Sequence, residues 1–385
     1  MPLALTYFAV YPILALTSPY LSILIRDLGF RPEALGLFLG AFEIAGIAGP
    51  IFAGRLIDRI GRFRPGLALA YCLILVSIPL FLFFRHPLIV LAAVILLSIG
   101  SRSVTPIVDT AATIAIGPKG NYGKYRWAGS FSFVLMALFL QFQPWIPVTG
   151  VEPILFWLAA TTVFAFCFLS ILPERDPRDR NAASRPTGGE KQAPRRFVDG
   201  PFIIGLAIIA LSRLAMSPIN GFFSLYLVEE LHWNVVALMW AFAATVEIPI
   251  MFFSTPLIAR FGAPKLLAFS SAAVFVRLLV YTLIPNAFGA VIGQALHAFC
   301  YGLFHPAAIS FIATRVPPER RATGMAMYLS LGSGLPTFLG NVLGGFILAA
   351  AGYRIMFASF IIFAVASVAL YISSRRILDA PTRAW

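Results

Sequence analysis

The chain has 385 residues, of which 59% are hydrophobic, 14% aromatic and only 12% charged. A soluble domain carries about 25% charged and 45–50% apolar residues, so this composition excludes a soluble enzyme, a disordered chain and a disulfide scaffold. The 29 Lys and Arg against 16 Asp and Glu leave a formal charge of +13, which would suit a polyanion if the basic residues formed one surface.

They do not. Apolar runs of about 20 residues match a hydrocarbon core about 30 Å thick. They predict twelve membrane-spanning helices at 3–25, 34–54, 65–84, 87–117, 127–148, 153–172, 201–228, 234–259, 265–285, 287–314, 322–350 and 354–374. The first run has no charge before Arg26, no basic leader and no small-residue cleavage site, so it reads as a span and not a signal peptide. Of the 29 basic residues, 22 fall in loops or ends on one side of the predicted membrane. They include Arg55, Arg59, Arg62 and Arg64, then Lys119, Lys124 and Arg126, then Arg260 with Lys265, Arg315 with Arg320 and Arg321, and Arg375, Arg376 and Arg383. Only Arg26, Arg31, Arg85 and Arg354 lie opposite, and Arg102, Arg213 and Arg277 lie inside apolar runs. Basic loops stay cytoplasmic, so both termini are expected in the cytoplasm of a multi-pass inner-membrane protein. Nucleic acid is not an expected partner, and the chain is expected to work as a monomer in the lipid bilayer.

The longest polar stretch, 173–200, holds seven basic and five acidic residues with Pro, Gly and Ser. It reads as a cytoplasmic linker between a bundle at 1–172 and another at 201–385, six spans in each. The halves look like weak repeats. Glu43 precedes Arg55 by 12 residues and Glu247 precedes Arg260 by 13, and DTAATIAIGPK (109–119) lies on HPAAISFIATR (305–315) without a gap. Parallel repeats with a site between them are a transporter design.

Residues 54–64 read GRLIDRIGRFR. They resemble the loop motif between spans two and three of the major facilitator superfamily, matched by Gly54, Asp58, Arg59, Gly61, Arg62 and Arg64. Glycine 54 would allow close helix approach. Asp58 would pair with an arginine or a helix N-terminus to latch the cytoplasmic side. The second half keeps only LIARFGAPK (257–265), with Ala259 in place of the acid, so its latch is expected to be weak or lost. VEIPIMFFSTPLIARFG (246–262), QALHAFCYGLFHPAAISFI (294–312) and PIVDTAATIAIGPKGNYGKYRWAGSFSFV (106–134) are similar to the phenylpropionate-permease and nucleoside-symporter-like branch, related to lactose permease. The resemblance implies a proton-coupled permease for a small organic solute such as an aromatic carboxylate, nucleoside or sugar. It does not separate uptake from proton-coupled export. A non-transporting sensor or assembly factor is the rival from another class.

A mid-bilayer charge costs about 2.5–3.5 kcal/mol on insertion scales, so ionisable residues in spans face a cavity or a partner. Glu43 and Glu247 lie about 18–20 Å from the cytoplasmic edge at 1.5 Å per residue. Arg102 and Asp109, seven residues apart, share a helix face. Arginine stays charged and suits an anion, whereas an acid with a raised pKa can carry a proton. Substrate binding is therefore expected from Arg102, Glu43, Arg213, Arg277 and His297, and proton coupling from Asp109, Glu43, Glu247 and His305. Glu43 has no partner nearby in sequence, and Glu247 is expected to form a static pair with Arg277. Asp109 is expected either to carry function or to pair with a basic side chain. Cys72, Cys167 and Cys300 read as small core residues. The segment GSGLPTFLGNVLGG (332–345) reads as a packing face, and Trp127, Trp145, Trp157 and Trp233 as interfacial anchors. No nucleotide, zinc or nucleophile motif stands out, so no catalytic residue, cofactor or metal is expected.

Overall fold

The computed structural model describes residues 2–117, 123–174, 198–317 and 320–379. Lys119, Arg383 and most of the expected linker lie outside these residues. The described chain is helical. In order come α1 (Pro2–Asp27), α2 (Pro32–Ile60), α3 (Phe63–Phe83), α4 (Pro87–Ile116), α5 (Gly123–Phe142) and α6 (Val151–Cys167). Then follow α7 (Gly200–Leu225), α8 (Val236–Phe261), α9 (Ala263–Leu283), α10 (Ala287–Ala295), α11 (Phe304–Arg315), α12 (Arg321–Met327) and α13 (Leu335–Leu378). Wider π turns continue three of these helices, at Tyr226–Glu230, Ala298–Gly302 and Tyr328–Gly334.

Ten helical segments among the described residues are long and apolar enough to cross a membrane. Helix α5 is not among them. The last, Thr323–Leu378, runs for 56 residues. At 1.5 Å per residue that is about 84 Å, far more than one hydrocarbon core. The break is at Gly352, whose φ of 76° and ψ of 177° leave the helical region for one that glycine reaches without strain. Two predicted boundaries move. Helix α5 stops at Phe142 rather than 148, because Pro144 and Pro147 supply no amide donor. The Gln143 side chain accepts from the Trp145 and Ile146 amides there. Helix α2 continues to Ile60, so most of the predicted 54–64 loop is helix.

The chain divides into two compact units, Met1–Gly29 with Ala41–Pro194 and Phe30–Gly40 with Arg195–Trp385. In the first, α1 packs against α5 and α6, and α3 against α4. Phe202, Leu206, Ile209, Leu267, Phe304 and Phe311 form a buried apolar cluster in the second. The 332–345 face packs closely: a Cβ on Gly340 would strike the Ser217 hydroxyl, and one on Gly345 would strike Pro32 and Gly36. The cysteines depart from expectation. Only Cys300 is buried, while Cys72 and Cys167 are exposed on the outside of their helices, where the lipid of a membrane would meet them. Trp127 and Trp145 are 59% and 74% exposed, as suits anchors.

Candidate functional site

In the first unit, Arg102 on α4 donates to the Glu43 carboxylate on α2 at 2.5 Å, and its guanidinium lies 5.1 Å from the centre of the Phe42 ring. Glu43 thus finds its partner on another helix, 59 positions along the chain. Asp109, also on α4, accepts from the Tyr7 hydroxyl at 2.6 Å and lies 3.8 Å from Nε of Arg126. That guanidinium sits over the Tyr11 ring at 4.8 Å and the Tyr7 ring at 5.9 Å. Sequence reading assigned Arg126 to a loop. The structure places it in the first turns of α5, where it completes the Asp109 cluster.

In the second unit, Arg277 on α9 is 1% exposed. Its Nε donates to the Tyr281 hydroxyl at 3.1 Å, one terminal nitrogen lies 3.1 Å from Nδ1 of His297, and the other donates to Oε1 of Gln294. The amide of Gln294 in turn donates to the Met239 carbonyl at 3.2 Å, tying the cluster to α8. The expected direct pair between Glu247 and Arg277 is not formed. Glu247 instead lies 3.6 Å from Nε2 of His297, so the imidazole stands between them. Arginine can only donate, which makes Nδ1 the acceptor. The ring proton of neutral His297 then sits on Nε2, toward Glu247. Gly302 makes the approach possible, because a Cβ there would lie 2.8 Å from Cγ of Glu247.

The π turn Ala298–Gly302 falls between His297 and His305. Across it the Tyr301 ring stacks on both histidines, at 5.4 Å and 9° from His297 and at 6.2 Å and 3° from His305. The two histidines, eight positions apart, thus lie along one stack of rings. His305 Nδ1 also lies 3.2 Å from the Tyr328 hydroxyl. Arg213 on α7 sits over Tyr301 at 5.7 Å and Phe304 at 5.8 Å, and its Nε is buried without a hydrogen-bond partner. Tyr301 and Tyr328 were not singled out from sequence. In a chain with 36 Phe and 12 Tyr, one aromatic carries little signal.

The two units carry one plan. Glu43 and Glu247 each stand eleven positions after the first residue of their helices, α2 and α8. Each carboxylate meets a nitrogen on the fourth long helical segment of its own unit, Arg102 in one and His297 in the other. Residues 109–116 and 305–315 of the two similar strings likewise end α4 and α11.

At the motif, Asp58 makes no ion pair or hydrogen bond among the described residues; it borders a cavity of about 80 Å³ with Gly54, Pro106 and Thr110. A Cβ on Gly54 would meet nothing within 4 Å, so the close approach expected there is not formed. Arg64 holds the far end of the unit. The Glu174 carboxylate accepts from the Phe63 and Arg64 amides at 2.8 and 2.9 Å, and Nε of Arg64 donates to the Leu172 carbonyl at 3.0 Å. An acid at the N-terminus of α3 is favoured by the helix dipole.

The profile of the MFS_1 like family matches residues 1–359. A maltose permease of Geobacillus stearothermophilus is 28% identical over 275 residues, which cover 66% of this chain and 63% of the permease. The chain thus spans less than two thirds of that relative's length. A protein of Escherichia coli K12 named a probable 3-phenylpropionic acid transporter is 23% identical over 356 residues, 92% of each chain. Among solved structures, a mutant of the nucleoside transporter NupG superposes with a TM-score of 0.78 over 97% of this chain and 99% of its own, at 15% identity.

Proposed function

The chain belongs to the MFS_1 like family, and from that premise we propose that it is a secondary active transporter that takes up a small organic solute by proton symport. Twelve spans in two six-helix bundles, joined by the 173–200 linker and with both termini in the cytoplasm, would alternate access to a mid-membrane site. Splitting Thr323–Leu378 at Gly352 and adding α5 to the apolar segments gives that count.

The observation that carries the reading is the Glu247, His297 and Arg277 array. Arg277 is permanently charged and supplied with acceptors, so it is fixed. His297 is oriented by it and presents Nε2–H to Glu247. The carboxylate is the end of the array that can take a proton, and in doing so it weakens its charge-assisted contact to the imidazole. Binding and release of that proton therefore bias the α8–α10 contact, the kind of differential that shifts a two-state machine. Asp109 with Tyr7, Glu43 and His305 are the other proton-handling groups of the proposal. Arg102, Glu43, Arg213 and His297 are the substrate-facing ones, whereas Arg277, buried with each guanidinium nitrogen engaged, is left to hold the array. Asp58, with Gly54, Arg59, Gly61, Arg62 and Arg64, forms the cytoplasmic latch, open in the arrangement described above. The relatives named for a sugar and for an aromatic acid support the solute class at this breadth. Proteoliposomes containing the protein are expected to accumulate solute under an inward proton gradient and to lose the accumulation with an uncoupler. Uptake indifferent to the gradient across acids, sugars and nucleosides would reject symport.

A further inference from the structure

We propose that the transported solute is an organic anion, a carboxylate, and that Arg213 over the Tyr301 and Phe304 rings is its anchor. The proposal rests on the transport reading above and narrows its substrate class.

The argument is one of charge. Among the helical arginines, Arg102, Arg126, Arg213 and Arg277 belong to the clusters described above, which hold the carboxylates of Glu43, Asp109 and Glu247. Arg102 is neutralised by Glu43 at 2.5 Å and Arg126 faces Asp109 at 3.8 Å. Arg277 reaches Glu247 through the imidazole of His297. Arg213 has no acid within ion-pair distance among the described residues. It lies over the rings of Tyr301 and Phe304, and its Nε is a buried donor with no acceptor among the described residues.

A cation over an aromatic face is attracted only weakly compared with an ion pair, which leaves its charge without a counter-charge. A guanidinium cannot shed its proton to escape, and a charge inside a membrane is retained where it faces a cavity or a ligand. The missing partner is thus one negative charge with two acceptor atoms, which a carboxylate supplies to the planar fork. The rings beside Arg213, with Tyr301 held flat between His297 and His305, give the remainder of a small acid an apolar platform. A neutral sugar or nucleoside would leave Arg213 as it stands.

The test separates binding from transport. Purified protein is titrated with benzoate and 3-phenylpropionate, the amide of each, uridine and maltose, with thermal shift and tryptophan fluorescence as readouts. At least one carboxylate is expected to bind while its amide binds about 10–100-fold more weakly, the range for hydrogen bonds to a charged group. Arg213→Gln should remove that preference, and Arg213→Lys should retain part of it, since charge remains and the fork is lost. If Arg213→Gln does not fold, the carboxylate and amide comparison in the wild type decides alone. Carboxylate binding undiminished in Arg213→Gln, or binding of uridine or maltose but of neither acid, would overturn the proposal, as would no binding by any probe. Carboxylate binding without uptake into proteoliposomes would sink the transport reading and leave the anion site standing. Uptake of a neutral probe without carboxylate binding would do the reverse.

Discussion

Between Arg277 and Glu247, His297 satisfies both neighbours in one protonation state only: Nδ1 bare and Nε2 protonated. A second ring proton would set N–H against the guanidinium, so the symport proposed above assigns the transferred proton to Glu247 and not to the imidazole. Glu247→Gln mimics the protonated acid, and it is expected to abolish uphill accumulation while solute exchange down a gradient continues. Gln294 holds one edge of the buried guanidinium. Gln294→Leu leaves a charged donor unmet at a cost of about 1.5–3 kcal/mol and should lower the melting temperature by several degrees, whereas Gln294→Glu should retain more of it. Individual candidates were legible in sequence because a charge in an apolar run has to be explained, and Glu43, Arg102, Asp109, Glu247, Arg277 and His297 all occupy clusters. Their pairings were not legible. Which acid meets which base depends on how helices cross, so Glu43 looked solitary and Glu247 was given to Arg277 instead of His297.

At the scale of elements, hydropathy located the apolar segments, because a span needs length and apolarity more than any particular residue. It missed the π turns. These add a residue to a helical turn and often mark functional sites, but no composition announces them. One of them, Ala298–Gly302, sets Tyr301 between the two histidines and brings Gly302 against Glu247. Gly302→Val would push α8 from this turn. It should cut uptake at least as severely as Glu247→Gln and destabilise the fold by about 1–3 kcal/mol, the usual cost of overpacking. A Gly302→Ala variant with wild-type melting and uptake would show that the contact has slack and does not gate coupling. The end of α5 was misplaced for a local reason: Pro144 and Pro147 sit in an apolar stretch that hydropathy alone counts as span.

The whole molecule was foreshadowed by the charge count. The +13 that suggested a polyanion is read as mainly an orientation signal, and the proposed mechanism rests on the few charges left inside the helices. The repeat was faint in letters, and the structure adds one parallel to it: each unit links its second long helix to its fourth through an acid and a nitrogen base. Asp58 makes no ion pair or hydrogen bond among the described residues, and the proposed latch assigns its pairing to the opposite state. Asp58→Asn should leave solute affinity nearly unchanged and slow net uptake about 10-fold, within the usual coupling range of 1–3 kcal/mol; unchanged uptake would remove Asp58 from the latch. The central claim is that solute and proton move together through the Glu247 array. It is tested most directly by adding solute to lightly buffered, de-energised proteoliposomes and recording external pH. Solute entry should alkalinise the medium with wild-type protein and leave pH unchanged with Glu247→Gln, although solute still equilibrates. Wild-type solute entry with no proton movement would contradict it.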